Sequence, residues 1–145
     1  MLVQLILASA MVIATVLLHL IGLAVLMRVL RSHSLLLAPL RIMPLTVLVG
    51  ASIGIFAIHT IEIWLYAALY LGLGAFGEFE TALYFSTVTY ASVGYGDVLL
   101  PQAWRILGAI EGATGIIMLG WSTAFLVALL GKLKLFGHDW LRVSE

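Results

Sequence analysis

The 145-residue chain contains no cysteine, and only 10% of its residues are charged. The absence of cysteine excludes a disulfide framework, and a formal net charge of zero gives no support to nucleic-acid binding. No set of a nucleophile and a base, and no cluster of metal ligands, is recognisable along the sequence, so we expect no enzyme activity and no cofactor. No internal repeat is present. What remains is a chain dominated by apolar residues.

Hydrophobic residues make up 63% of the chain, and the mean hydropathy is +1.19, which is far too apolar for a soluble domain of this length. Residues 1–27 contain no Lys, Arg, Asp or Glu, residues 42–73 contain only Glu62, and residues 106–131 contain only Glu111. Each segment exceeds the roughly 20 residues that a bilayer core requires. We therefore expect an all-α membrane protein with three transmembrane helices, the first of which lacks the basic start of a signal peptide.

The basic residues predict the orientation of these spans. Six of the seven follow the first or the third span, and only Arg105 lies on the opposite side. The six are Arg28, Arg31, Arg41, Lys132, Lys134 and Arg142. The positive-inside rule then predicts an outside N-terminus, a cytoplasmic basic loop over residues 31–41 and a cytoplasmic, interfacial tail over residues 132–145, in a multi-pass protein of the cell membrane.

The segment Ala91-Ser92-Val93-Gly94-Tyr95-Gly96-Asp97-Val98 has the composition of an ion-coordinating backbone. A pore that removes a cation from water must replace its hydration shell with oxygens, and backbone carbonyls supply them at the highest density. Stacking successive carbonyls toward one axis requires alternating left- and right-handed backbone angles, which Gly94 and Gly96 adopt without a Cβ clash. We expect the carbonyls of residues 92–95 and the Ser92 hydroxyl to form the ion sites.

The apolar residues 79–90 precede this segment and would form about three helical turns, which is too short to cross a membrane. They predict a re-entrant half-helix that begins near Glu78 and Glu80, where negative charge complements the helix dipole. Its negative C-terminal end would point at a cation in the pore.

Residues 84–124 resemble the pore of potassium channels, and the chain is similar to the short prokaryotic members that carry little besides a pore. The resemblance extends over roughly residues 42–131. It implies an outer helix over 42–73, a pore helix over 79–90, a filter over 92–97 and an inner helix over 103–131, and it leaves residues 1–30 as an extra N-terminal transmembrane helix. Because one chain holds one filter segment, it also implies a homotetramer in lipid with K⁺ as the permeant ligand.

The resemblance also assigns roles to single residues. Tyr84 and Phe85 fall on the aromatic cuff, Asp97 on the acid outside the filter, and Gly115 and Gly120 on inner-helix positions that act as a hinge or as close-packing points.

The chain departs from the family pattern at three positions. The usual Thr-Thr before the filter is replaced by Ala91 and Ser92. Despite this replacement we expect potassium selectivity to survive, with weaker potassium binding at the innermost site. Val88 stands where some members carry a pore-helix carboxylate, so one stabiliser of the outer end of the filter is missing.

Four polar residues within the predicted spans need partners. Glu62 lies three residues after His59, and its height on the second span favours a carboxylate at the interface. Glu111 lies well inside the third span and is a functional candidate by default. We hypothesise that Glu111 supports the filter by accepting a hydrogen bond from His59, which shares its depth, or from a pore-helix hydroxyl. The hydroxyls considered are those of Thr87 and Thr89. His19 is expected to be packed or hydrogen-bonded.

The sequence therefore favours a potassium-selective channel, and two alternatives stay open. One is a cation channel that discriminates weakly between sodium and potassium. The other is a non-conducting, channel-like membrane subunit that binds a partner, a role that the first span and the tail would serve.

Overall fold

The computed structural model describes residues 1–37 and 43–133, with the side chains of residues 1–32 and 44–133. Within those ranges the chain is helical and has no strand. The helices are α1 (Leu2–Leu37), α2 (Met43–Gly72), α3 (Phe79–Tyr90) and α4 (Arg105–Leu133), the last preceded by a 3₁₀ turn at Gln102–Trp104. Three segments are long and apolar enough to span a membrane: Leu2–Ser32, Pro44–Gly72 and Gln102–Leu133.

The helix boundaries agree closely with the sequence except in α1. The predicted pore helix, residues 79–90, coincides with α3, and α2 and α4 begin and end within two residues of their expected limits. By contrast, α1 continues past residue 30 to Leu37, so residues 31–37 are helical and do not belong to a loop. No Gly or Pro interrupts this stretch before Pro39, and nothing there stops the helix. The rest of the expected loop, residues 38–41, and the tail from residue 134 lie outside the described residues.

The short helix α3 packs between α2 and α4, while α1 packs on the outside against the same two helices. Aromatic side chains fill the space around α3. The Phe85 ring meets Tyr70 of α2 edge-on at a centroid distance of 5.4 Å, and it lies 5.3 Å from Phe76 in the α2–α3 connection. Phe85, assigned to an aromatic cuff, is thus a buried core residue of this chain.

The two ends of the helix bundle differ in charge. Near the start of α1, the Gln4 side-chain oxygen accepts a hydrogen bond from the Ile106 amide at 3.3 Å, so the N-terminus of the chain lies beside the start of α4. At the opposite end, Arg31 of α1 and Lys132 of α4 line one cavity together with Val47, near the start of α2. The basic residues that follow the first and third spans therefore meet at one end of the bundle, as far as the structure describes them.

Candidate functional site

The backbone that follows α3 alternates in handedness. Ser92, Gly94 and Gly96 have φ angles of 58°, 55° and 78°, and within the described chain Ser92 is the one residue other than glycine with positive φ. The positive φ expected at both glycines is confirmed, and Ser92 extends the alternation by one step. Because left- and right-handed residues alternate, successive carbonyls can turn toward the same side, as they cannot in a regular strand.

The start of this segment is fixed to the last turn of α3 through backbone hydrogen bonds. The amides of Val93 and Gly94 both donate to the Val88 carbonyl, at 2.8 and 3.1 Å, and the Ser92 amide donates to the Thr89 carbonyl at 2.9 Å. The final carbonyls of a helix have no partner within the helix, so the segment satisfies the end of α3 while anchoring itself. Val88 and Thr89 thus support the segment through their backbones.

The far end of the segment is held by a side chain of α3. The Tyr84 hydroxyl donates to Asp97 Oδ2 at 2.6 Å, and the Val98 amide donates to Asp97 Oδ1 at 3.1 Å. The hydrogen bond from Tyr84 holds the pKa of the Asp97 carboxyl below its usual range, and the same bond raises the pKa of the Tyr84 phenol. The sequence indicated that one stabiliser of the far end of this segment is missing at Val88. In the structure, the hydroxyl of Tyr84, four residues earlier on α3, makes a hydrogen bond to Asp97.

A buried carboxylate lies on the other side of α3. Glu111 of α4 has no solvent exposure, and it accepts hydrogen bonds from the Tyr70 hydroxyl of α2 at 2.6 Å and from the Ser86 hydroxyl of α3. One carboxylate therefore joins three helices. Because a buried carboxylate that loses its donors is costly, these contacts fix the position of α3 relative to its neighbours.

Of the two partners hypothesised for Glu111, a hydroxyl of residues 79–90 is the one found. The α3 hydroxyl that donates to Glu111 belongs to Ser86, whereas the Thr87 hydroxyl donates to the Leu83 carbonyl of its own helix at 2.7 Å. Of the two alternatives, His59 is not the partner of Glu111, because His59 faces Glu62 at 2.9 Å. A shared depth does not fix which side of a helix a residue faces.

A second polar cluster lies between α1, α2 and α4. Glu62 is fully buried, which contradicts its expected place at the interface, and its two oxygens lie 2.9 Å from His19 Nδ1 and 2.9 Å from His59 Nδ1. The Tyr90 hydroxyl also donates to Glu62, and Ser122 Oγ lies 2.9 Å from His59 Nε2. The expectation that His19 is hydrogen-bonded is confirmed. Glu62 is buried because α1 covers it, and no pattern in the sequence indicates where α1 packs.

Gly115 and Gly120, the two α4 glycines assigned by the resemblance to an inner helix, differ in their surroundings. A Cβ on Gly115 would collide with the carbonyl oxygen of Tyr90, the last residue of α3, whereas a Cβ on Gly120 would meet nothing within 4 Å in the described chain. Gly115 is therefore a close-packing position, where α4 passes directly beneath the end of α3. The role of Gly120 stays a prediction.

Sequence reasoning missed four residues that the structure brings into these networks, and all four contribute buried hydroxyl groups: Tyr70, Ser86, Tyr90 and Ser122. The available signal was the pair of carboxylates in the spans, since each needs donors from neighbouring helices. The separations are 41 residues between Tyr70 and Glu111 and 28 between Tyr90 and Glu62, so no local pattern identifies the donors.

Comparison with known proteins identifies the family of this arrangement. A sequence model of the family described as "Ion channel" matches residues 45–132, which span nearly all of α2, then α3, the segment with alternating φ, and α4. No curated protein and no solved structure matches the chain. The helix α1 lies outside the matched range. Because the match covers more than half of the chain, the protein belongs to this ion channel family, within the potassium channel superfamily.

Proposed function

We propose that the protein is a potassium-selective channel whose filter is residues 92–97, assembled from four copies of the chain. The observation that carries the proposal is the alternation of positive φ at Ser92, Gly94 and Gly96 within the sequence Ser-Val-Gly-Tyr-Gly. Such a backbone directs its carbonyls to one side, where they replace the hydration shell of K⁺. The sites would use the carbonyls of residues 92–95 and the Ser92 hydroxyl, and repulsion between adjacent ions would let each ion leave.

The need for four copies follows from the filter itself. One chain supplies one carbonyl per level, and a cage around K⁺ needs the same backbone from several directions about one axis. In the single chain Val93 is 52% exposed and Tyr95 72% exposed, although both are large apolar side chains. Neighbouring copies arranged around an axis would cover them. In this assembly α3 is the re-entrant pore helix, α2 the outer helix and α4 the inner helix.

The proposed orientation places the filter exit, with Asp97, on the outer side of the cell membrane. Arg31 and Lys132 meet at the opposite end of the bundle, and clustered basic residues mark the cytoplasmic side. The N-terminus of α1, beside Ile106, is then outside.

The test is potassium flux through the purified protein in liposomes, with reversal potentials measured in potassium and sodium. Gly94→Ala should abolish selectivity or conduction, because a Cβ at positive φ costs about 1 kcal/mol or more in every subunit and distorts the carbonyl ring. Gly74→Ala is the matched control, since Gly74 has a φ of 64°, nothing within 4 Å, and a place in the turn after α2. It carries the same backbone strain away from the filter, and selectivity should persist.

The outcomes separate the alternatives. Equal permeability to sodium and potassium in the wild type would indicate a weakly selective cation channel, for which the replacement of the usual Thr-Thr by Ala91 and Ser92 is the relevant observation. The absence of barium-sensitive potassium flux from a correctly folded protein would indicate a non-conducting subunit. Normal selectivity in Gly94→Ala would refute the filter assignment.

A further inference from the structure

The cluster at the junction of α1 with the rest of the chain has the donor atoms of a metal site. His19 of α1 and His59 and Glu62 of α2 each offer a ligand atom, and these atoms all lie within 4.8 Å of one another. All three residues are at least nine-tenths buried. We propose that these three residues bind a divalent transition-metal ion of the zinc class, and that this ion holds α1 against the bundle that α2, α3 and α4 form.

The spacing of the donor atoms fits such an ion. Zinc binds imidazole nitrogen and carboxylate oxygen at about 2.0–2.2 Å, so two ligands in a tetrahedral site lie roughly 3.4 Å apart. Each histidine Nδ1 lies 2.9 Å from an oxygen of Glu62, and the largest separation in the set is within 4.8 Å. The required spacing therefore lies between the shortest of these distances and the upper limit of the set.

A count of hydrogen-bond donors is consistent with an ion and is not consistent with two neutral histidines. Without one, two neutral imidazoles would each carry the Nδ1 hydrogen that faces Glu62, and both Nε2 atoms would have to accept; the alternative is a protonated imidazole paired with Glu62, which donates from both nitrogens. The two Nε2 atoms face a single hydroxyl, Ser122 Oγ, at 2.9 Å from His59 and 3.5 Å from His19. Its one hydrogen can serve one of them only. With an ion on the Nδ1 atoms, both Nε2 atoms carry hydrogens and donate to the two lone pairs of the same oxygen, so each imidazole nitrogen is satisfied.

This second arrangement is how metal-binding histidines are commonly held, with the remote ring N–H donated to a fixed acceptor. Two imidazoles and one carboxylate are the ligands of an open zinc site, in which a fourth position is left for an oxygen. The Tyr90 hydroxyl, 3.2 Å from His59 Nδ1, lies next to that position. Magnesium and calcium prefer sites made only of oxygens, so nitrogen donors favour a transition metal.

The site would connect the extra helix to the filter region. Its ligands come from α1 and α2, its remote acceptor Ser122 from α4, and Tyr90 is the last residue of α3, directly before the segment with alternating φ. His59 and Tyr90 also line a cavity of about 400 Å³ between α2, α3 and α4, which offers a path to the ligands. A bound ion therefore joins four helices at the base of the proposed filter.

The proposal is tested by metal binding to the purified full-length protein, measured as zinc per chain after dialysis against Zn²⁺ and removal of free ion. We expect one zinc per chain in the wild type and at least a tenfold loss of affinity in His19→Gln. The matched control is His33→Gln, a histidine 14 residues further along α1, about 21 Å from His19 along the helix axis. It should bind as the wild type does. Ser122→Ala should weaken binding by about 10- to 100-fold while keeping all ligands.

A measurement on the wild type alone covers the case in which a variant fails to fold. X-ray absorption of the zinc-loaded protein should show nitrogen and oxygen neighbours at about 2.0–2.1 Å with imidazole scattering from two histidines. Sub-stoichiometric zinc in the folded wild type, equal zinc in His19→Gln and wild type, or a spectrum with no imidazole would each overturn the proposal and leave a hydrogen-bonded cluster. Because none of these readouts is ion flux, they stand apart from the test of the channel function.

Discussion

Gly115→Ala should destabilise the protein through a collision between two backbones. An added Cβ would meet the Tyr90 carbonyl oxygen, would lie 2.8 Å from its carbonyl carbon and would lie 3.1 Å from its Cα. Carbon atoms pack best at about 3.5–4.0 Å, and all three neighbours are backbone atoms, so no side-chain rotation relieves the contact. The end of α3 must move away from α4 by roughly 1 Å.

The size of the effect follows from two opposing contributions. Overpacking of this kind costs about 3 kcal/mol, the upper end of the usual range, because backbone has to move. Alanine regains up to about 1 kcal/mol of helix propensity, so the net loss is about 2 kcal/mol. Gly120→Ala gains the same propensity and meets nothing within 4 Å in the described chain. The two variants should therefore differ by about 3 kcal/mol, or more than a hundredfold in the unfolding equilibrium.

The assay is equilibrium unfolding of both variants in the same mixed micelles, followed by helical circular dichroism, with potassium flux measured in parallel. Gly115→Ala should also impair flux, because Tyr90 directly precedes the segment of residues 91–97. Equal unfolding free energies for the two variants would refute the tight approach of α3 to α4. An altered open probability in Gly120→Ala at unchanged stability would support a hinge at that position.

Two further predictions concern the hydrogen bonds that hold α3. The hydrogen bond from Tyr84 lowers the Asp97 pKa, so its stabilising effect is present above the ordinary pKa of an aspartate and is lost as pH falls through the lowered value. Tyr84→Phe should therefore raise the Asp97 pKa, which NMR titration measures. The same variant should move acid-induced changes in flux to higher pH. An unshifted Asp97 pKa in that variant would contradict the bond. Ser86→Ala removes a donor from the buried Glu111 and should cost about 1–3 kcal/mol of unfolding free energy. Thr87→Ala is the adjacent control, because the Thr87 hydroxyl donates to the Leu83 carbonyl of its own helix; it should cost less than about 1 kcal/mol, and equal losses would show that Glu111 does not depend on Ser86.

The helices were predictable because their signals are local. Length and apolarity indicated three spans, and the 12-residue α3 begins and ends where predicted because Glu78 and Glu80 mark its start and the glycine-containing segment its end. The positive φ of Gly94 and Gly96 also follows from residue type alone, since glycine carries no Cβ. Only the length of α1 was underestimated, since charged residues at the end of a span do not stop a helix.

The polar networks depended on tertiary structure. Sequence placed Glu62, Glu111 and His59 at approximate depths, but a depth does not determine which helix face meets which neighbour. Because α1 packs over Glu62, this carboxylate is buried and contacts two histidines that lie 40 residues apart in sequence. Because of the way α3 packs, Glu111 accepts a hydrogen bond from Ser86 and does not contact His59. Local chemistry determined the spans and the positive φ of the two glycines in the segment after α3. The contacts that hold that segment in place join side chains distant in sequence, and only the packing of the helices decided them.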